Sequence, residues 1–252
     1  MRISIITVCF NSEKTIADTL NSVKLQSYKN IEHLLIDGGS TDNTLSLIKN
    51  YQNSGSEYPI RCLSEPDQGL YDAMNKGIQL SSGDYIGFLN ADDFYTDAEC
   101  IRKLVDALIQ NQTKSCYADL DYIDSIVTNK IIRRWKAGEF KPNSFLWGWM
   151  PPHPTFFVSR EVYIQLGGYR LDLGSAADYE LMLRFLHKHQ ISTCYLPQTI
   201  IKMRMGGVSN ASLKNRIAAN RMDKKAWEIN GLKPLLFTLL LKPIRKLNQF
   251  KI

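Results

Sequence analysis

A rhythm repeated three times before residue 80 constrains this chain most: a short β-branched run, a polar corner, then an apolar helical stripe. Ile3-Ser4-Ile5-Ile6-Thr7-Val8-Cys9-Phe10 reads as a strand and stops at Asn11-Ser12, which can cap a helix whose apolar face is Ile16, Leu20 and Val23. Ile31 to Ile36 is a second strand, Asp37-Gly38-Gly39-Ser40-Thr41-Asp42 its polar corner, and Leu45, Ile48 and Gln52 trace the next helix. A third strand, Ile60 to Leu63, leads through Glu65-Pro66-Asp67-Gln68-Gly69 into a helix carrying Leu70, Ala73, Met74 and Ile78. Strands alternating with helices predict an α/β fold: a Rossmann-like, mostly parallel central sheet flanked by helices.

The fourth strand carries the chemistry. Gly83-Asp84-Tyr85-Ile86-Gly87-Phe88-Leu89-Asn90-Ala91-Asp92-Asp93 is an apolar run, too short for a helix, ending on oxygen-bearing side chains. In an extended chain Asn90 and Asp92 share one face and Asp93 takes the other. Two adjacent aspartates resist joint ionisation unless a cation offsets their repulsion, and Mg²⁺ or Mn²⁺ accepts few carboxylates completed by phosphate oxygens and water. The plain alternative is a turn in which Asp92, Asp93 or Asp97 caps the helix Ala98 to Gln110. In open parallel sheets ligands collect beyond the carboxyl ends of strands, and those ends here carry Asn11, Asp37, Glu65 to Gln68 and Asn90 to Asp93. No G-x-G-x-x-G or P-loop follows a strand, so a cation rather than a glycine cradle would hold phosphate. Asp37 can accept hydrogen bonds from a base or ribose, with Asp67 or Asp72 orienting the loop around it. The same Asp37-Gly38-Gly39-Ser40 is also a satisfactory tight turn.

Composition narrows the classes. With 252 residues, 44% hydrophobic and 22% charged, the chain is an ordinary globular protein able to bury a sizeable core. Its net charge of +6 is compatible with nucleic acid, an anionic membrane or a phosphorylated ligand. The five cysteines, Cys9, Cys62, Cys100, Cys116 and Cys194, are scattered and read as reduced core residues. The first residues do not read as a signal peptide and no window has the apolar length of a spanning helix, so the expected location is cytoplasmic.

At these motifs the chain resembles the inverting family 2 glycosyltransferases with the GT-A fold. The resemblance rests on Ile5 to Asn11, Leu35 to Asp42, Asp67-Gln68-Gly69-Leu70-Tyr71-Asp72-Ala73-Met74-Asn75 and Gly83 to Asp93, and covers roughly residues 1 to 205. It implies a GT-A sheet with a small antiparallel element, and a nucleotide sugar lying along Val8, Phe10, Asn11, Asp37, Gly38, Asp67, Gly69, Asn75, Asn90, Ala91 and Asp93. Asp37 would sit against the base, Asn90 near ribose or phosphates, and Asp92 on the metal. The family often has a second acid where Gly38 stands and an aspartate where Asn90 stands.

Ser115 to Ala118 reads as a strand, and Ile123 to Val127 with Lys130 to Trp135 as a hairpin turning at Thr128-Asn129. Phe145-Leu146-Trp147-Gly148-Trp149-Met150-Pro151-Pro152-His153-Pro154 combines aromatic rings with a proline-stiffened loop, suited either to stacking on sugars or to the core. His153 can be a metal ligand, a phosphate donor or a loop residue. Phe156 to Val158 is a short strand, Ser159 caps a helix to Leu166, and Gly167-Gly168 ends it. In Gly174-Ser175-Ala176-Ala177-Asp178-Tyr179-Glu180, Asp178 falls in the first turn of a helix with Leu181, Met182 and Phe185 buried. Displacement at an anomeric carbon needs a carboxylate to take the acceptor proton, and the resemblance places that base at Asp178, although the acid that commonly precedes it is Ala177 here. Asp178 and Glu180 also suit the positive end of a helix without catalysis.

Ile191 to Leu196 and Thr199 to Met205 read as two strands, followed by Gly206-Gly207-Val208-Ser209-Asn210, either a lid or a plain loop. Beyond it lies a basic helix, then a tail with Lys233, Lys242, Arg245, Lys246 and Lys251 and no acid. Leu235, Leu236, Leu239, Leu240, Ile244 and Leu247 give that tail an apolar face for an anionic bilayer surface or for packing on the core. The expected organisation is a glycosyltransferase domain over 1–210, with 1–95 binding the nucleotide sugar and 96–210 the acceptor, and a basic amphipathic extension over 211–252.

The expected function is a metal-dependent, hexosyltransferase-type transfer using Mn²⁺ or Mg²⁺. A UDP-sugar is favoured as donor, with GDP- and dTDP-sugars open. The resemblance, with the basic tail, implies a saccharide acceptor on a polyprenyl lipid, bacterial surface polysaccharide assembly (O-antigen or capsule), and peripheral contact of 232–252 with the inner face of the cytoplasmic membrane, with no nucleic acid involved. The competing readings are a non-catalytic nucleic-acid module using the C-terminal helix and an Arg133-Arg134 patch, and a nucleotidyltransferase on a related sheet.

Overall fold

The computed structural model describes residues 1–206, 213–247 and 249. Its first half realises the predicted rhythm: β1 (Ile3–Cys9), α1 (Ile16–Lys24), β2 (Ile31–Asp37), α2 (Thr44–Asn53), β3 (Ile60–Ser64), α3 (Leu70–Leu80) and β4 (Tyr85–Phe88). All seven residues of both β1 and β2 are buried, the mark of strands covered on both faces. These four strands run parallel in the order β3-β2-β1-β4, so the carboxyl ends of β1, β2 and β4 open on one edge.

The second half adds β5 (Phe94–Tyr95), α4 (Cys100–Asn111), β6 (Ser115–Ile123), β7 (Ile131–Trp135), β8 (Phe157–Ser159), α5 (Arg160–Leu166), α6 (Ala177–Met182), β9 (Thr193–Arg204), α7 (Leu213–Ile229) and α8 (Thr238–Leu247). The short β8 pairs antiparallel with both β4 and β6 and joins the two halves, continuing the sheet as β4-β8-β6-β9-β5 with β7 on β6. The result is a mixed α/β sheet flanked by helices.

Five local expectations are corrected. Asn11 and Ser12 do not cap α1 with their side chains, because Asn11 sits in the left-handed region at φ 48° and turns its Oδ1 to the Thr41 amide at 2.9 Å. β4 stops at Phe88, and Asn90 to Asp93 form a turn closed by Asp93 N to Asn90 O at 3.0 Å, so the alternation of an extended strand does not apply there. β6 is one strand of nine residues. Of the strand expected from Ile123 to Val127 only Ile123 is extended, as the last residue of β6, and 124–127 turn, with Asp124 Oδ1 accepting from the Ile126 and Val127 amides at 3.0 Å each. The two strands expected over 191–205 are one twelve-residue strand, β9, whose register against β6 slips at Asp119 and bulges at Pro197-Gln198.

The core is continuous across both halves and includes the fully buried Trp227 of α7, whose Nε1 donates to Tyr179 Oη at 2.9 Å. α8 is held by Thr238 Oγ1 donating to Leu146 O at 2.7 Å and by Lys242 Nζ on Asp223 Oδ2 at 2.7 Å. All five thiols are free, with Cys62 half-buried and the others buried. Among the described residues no helix is long and apolar enough to cross a membrane. Gly207 to Asn210 of the expected lid lie outside the described residues.

Candidate active site

The corner after β2 is built around Asp37. Its carboxylate is buried and accepts from Gly39 N at 3.1 Å, Ser40 N at 3.0 Å and Ser64 Oγ at 2.7 Å, and from Ser40 Oγ at 2.5 Å. Burial works against its charge, but the Ser40 and Ser64 hydroxyls and the Ser40 and Gly39 amides outweigh it and hold the pKa below the ordinary carboxylate value. Asp37 is therefore an ionised organiser of the corner. A second acid stands directly over it: a Cβ on Gly38 would lie 2.4 Å from Asp67 Oδ2 and 3.5 Å from the Phe10 ring. A side chain at 38 would evict the Asp67 carboxylate. Asp67 Oδ1 also accepts from Gly69 N at 2.8 Å. Beside this acid the Phe10 ring stands 61% exposed, an apolar plate at the end of β1.

The turn after β4 is the second element. Asp93 is wholly buried, and burial first, then the adjacent Asp92, push its pKa well above the ordinary value, against the pull of Arg204 and Asn90. Burial likewise raises the half-buried Asp92, opposed by its own backbone and by Arg204. Among the described residues, Asn90 Oδ1 and both carboxylate oxygens of Asp93 are buried with no hydrogen bond of good geometry. The turn backbone, by contrast, is firmly held. Thr19 Oγ1 donates to Asp93 O at 2.7 Å, and the buried Arg204 donates from Nη1 to Asp92 O at 2.7 Å and from Nη2 to Asp18 Oδ2.

The third element comes from the other half. Asp178 lies in the first turn of α6, as the spacing predicted, with Oδ1 accepting the Tyr179 amide at 2.7 Å and Oδ2 lying 3.2 Å from His153 Nδ1. Tyr122, at the end of β6, is within electrostatic reach of both acid groups. Burial raises its hydroxyl pKa, the Arg133 guanidinium 3.7 Å over its ring opposes this, and the charges of Asp93 and Asp178 add to it. Tyr71 and Tyr169, 5.2 Å apart, are both raised by burial first and also feel the Asp178 charge. Acids from the turn after β4 and from α6 thus both act on Tyr122.

The signature of Glycosyl transferase family 2 matches residues 4–167. The chain belongs to that family. Among the relatives of this family 2 glycosyltransferase, the uncharacterized glycosyltransferase MT1564 of Mycobacterium tuberculosis is 34% identical over 184 residues, 72% of this chain and 68% of its own. A PGL/p-HBAD biosynthesis glycosyltransferase of Mycobacterium bovis is 30% identical over 209 residues, 82% of this chain and 78% of its own. The crystal structure of S. aureus TarS 1-349 superposes with a TM-score of 0.71 at 17% identity, covering 98% of this chain and 72% of TarS 1-349. The mannosyltransferase PcManGT from Pyrobaculum calidifontis, in complex with GDP-Man and Mn²⁺, gives 0.66 at 15% identity, covering 95% of this chain and 67% of its own. At these identities the structural likeness shows the GT-A fold.

Within this glycosyltransferase the expected site residues divide by place. Phe10, Gly38 and Asp67 meet at the β2 corner, Asn90 to Asp93 form the acidic turn, and His153 joins Asp178. Val8 and Ala91 are buried. Asn75 is engaged elsewhere: its Nδ2 donates to Tyr169 O at 2.9 Å and its Oδ1 accepts Tyr169 N at 2.8 Å, clamping α3 to the segment after α5. Trp149 is core, with Nε1 donating to Ala137 O at 2.8 Å, whereas Trp147 is 53% exposed. The Arg133-Arg134 patch is not a surface patch, because Arg133 is buried on Tyr122. Sequence reasoning missed Arg204 and Tyr122. The available signal was a charged or hydroxylated end on an apolar strand, visible as a site only once β6 and β9 are placed beside β4.

The donor set of the acidic turn fits a hard cation in a limited way. Two carboxylates raised by burial and buried oxygens with no hydrogen bond of good geometry would both be relieved by a cation. Among the described residues no three acidic, histidine or cysteine side chains cluster to cage one, so phosphate oxygens and water would complete the shell.

Proposed function

We propose that this glycosyltransferase moves one sugar, with inversion, from a nucleotide diphosphate donor to a hydroxyl of a saccharide acceptor. The observation that supports this reading best is the reach of both Asp93 and Asp178 to Tyr122, as expected if the acidic turn and the candidate base serve one cleft. The nucleoside would stack on Phe10 with Asp67 reading its base edge, while Asp37 fixes the corner on which both stand. Asp92 would hold Mn²⁺ or Mg²⁺, with Asn90 and Asp93 beside it. The ion supplies neutralisation of the departing diphosphate charge.

Asp178 then takes the proton of the acceptor hydroxyl as that oxygen bonds to the anomeric carbon and the bond to the diphosphate breaks. His153, with Nδ1 at 3.2 Å from Asp178 Oδ2, would steady that carboxylate. Tyr71, Tyr122 and Tyr169 supply the walls that exclude water, which matters because hydrolysis competes with transfer. A UDP-sugar is the favoured donor, and a polyprenyl-linked saccharide of a surface glycan the favoured acceptor. Release of UDP, GDP or dTDP from a panel of nucleotide sugars in Mn²⁺ tests the reading. Release from none of them, by a folded chain that also fails to bind the three nucleotides, overturns it.

A further inference from the structure

Twelve residues before the end of α8 the surface changes character. Leu235 is 40% exposed, Leu236 102%, Phe237 41%, Leu240 61% and Ile244 54%. Leu240 and Ile244, four residues apart, share one side of α8, and Leu235, Leu236 and Phe237 stand exposed in the turn that leads into it, while Thr238, Leu239 and Lys242 turn toward the protein. Trp147, from the loop that leads to His153, extends this ridge by packing its ring 5.4 Å from that of Phe237. An apolar ridge of six large side chains is more than the scattered exposure usual on a soluble surface.

The ridge is rigidly mounted. A Cβ on Gly148 would fall 2.5 Å from Lys242 N, so α8 lies directly on the backbone of the loop. The Lys242 ammonium is held by Asp223 at 2.7 Å and stands 3.8 Å over the Tyr179 ring. Four residues separate Gly148 from His153, the partner of Asp178. The ridge and the base are therefore fixed to the same loop.

We infer that this ridge docks on an anionic lipid bilayer, with Trp147, Leu235, Leu236, Phe237, Leu240 and Ile244 entering the acyl boundary. Charge complementarity selects this occupant over a second copy of the chain. From Gly231 onward the sequence has five basic residues and no acid, and with Lys242 paired to Asp223 the remaining Lys233, Arg245, Lys246 and Lys251 leave this end of a +6 chain positive, so two copies meeting here would repel where anionic headgroups attract. The inference rests on the proposed function for its meaning, since a lipid-carried acceptor would then meet Asp178 from the loop side, but its test does not need an acceptor.

Tryptophan fluorescence gives a direct readout. Of the four tryptophans, Trp135, Trp149 and Trp227 are at most 9% exposed, leaving Trp147 as the one reporter on the surface. With the full chain, vesicles of phosphatidylglycerol and brominated phosphatidylcholine should quench this emission and carry the protein to the pellet. Trp147→Phe should remove the quenching but not sedimentation, and Leu236→Glu with Leu240→Glu should weaken partition at least about tenfold while UDP binding in Mn²⁺ stays at the wild-type value. Wild-type chain left in the supernatant, or a double variant that pellets as well as wild type, overturns the inference. So does a lipid-free dimer that the double variant converts to monomer, which would give the ridge to a second copy. Failure of UDP binding alone strikes the proposed function and leaves the vesicle result standing.

Discussion

His153 Nδ1 lies 3.2 Å from Asp178 Oδ2, tying the proline-stiffened loop before β8 to the first turn of α6. This places an orienting group on the candidate base, as a positioned carboxylate requires. Asp178→Asn keeps the shape and removes the proton acceptor, so turnover should fall roughly a thousandfold with nucleotide affinity unchanged. His153→Phe, which leaves the carboxylate in place but unsteadied, should cost turnover less. Steady-state kinetics beside calorimetric UDP titration separate the two, and an Asp178→Asn enzyme of wild-type turnover would remove Asp178 from the mechanism.

Asp92 carries the metal assignment. Its substitution by Ala should bring UDP affinity in Mn²⁺ down to the value that wild type shows in EDTA, and lower turnover on the order of a hundredfold or more. Titration of both proteins with and without chelator reads this directly. If chelation leaves wild-type binding and turnover untouched, the acidic turn works without a cation.

Arg204 ends β9 with 7% exposure and donates to the Asp92 carbonyl and to Asp18, whose carboxylate is 57% exposed. Loss of the buried contact should dominate. Arg204→Ala is expected to cost about 2 to 3 kcal/mol in urea unfolding, since bonds to charged groups are worth that much where water is excluded. Asp18→Asn should cost under about 1 kcal/mol, as exposed ion pairs do. Equal losses would mean that the ion pair, and not the hold on the acidic turn, is the main contact.

His33 supplies a pH dependence far from the cleft. Burial pushes its imidazole down to about 3, with Nε2 at 2.9 Å from Thr7 Oγ1 and Nδ1 at 2.9 Å from Tyr51 Oη. The unfolded chain binds the proton below about pH 6.5 and the native chain does not, so this contribution is whole above that value and is lost as pH falls toward 3. The expected slope is about 1.4 kcal/mol per pH unit, or roughly 3 kcal/mol between pH 7 and pH 4. Subtracting the unfolding profile of His33→Gln from wild type isolates it, and parallel profiles would contradict the buried neutral ring.

What the sequence made legible follows the range of the forces involved. β1 and β2 are buried on both faces and show as unbroken β-branched runs, and the first turn of α6 was fixed by local spacing, so Asp178 fell where expected. The sequence pattern ends β6 early because Asp119 and Asp121 look like loop residues. In the fold Asp119 Oδ1 takes the Ala137 amide at 2.8 Å and the Tyr195 hydroxyl at 2.7 Å, partners 18 and 76 residues away. Asn11 failed as a cap for the same reason, its side chain being claimed by the corner after β2. The acidic tip was recognised, but Arg204, which holds it, lies 112 residues downstream of Asp92 and has no local signature.

The mounting of α8 is testable through Lys242 and Asp223, whose side chains are 16% and 6% exposed and meet at 2.7 Å. A buried pair is costly to break and cheap to replace, because removing one partner leaves the other charge without compensation. Asp223→Asn should therefore destabilise by about 3 kcal/mol, whereas Asp223→Asn combined with Lys242→Met should recover most of that loss. Hydrogen exchange locates the effect: amides of Thr238 to Leu241 should lose protection in the single variant while those of β1 and β2 keep theirs. An equal loss in both variants would mean that the apolar contacts of Leu239 and the Thr238 bond to Leu146, rather than the charge pair, fix the helix on the loop that carries His153.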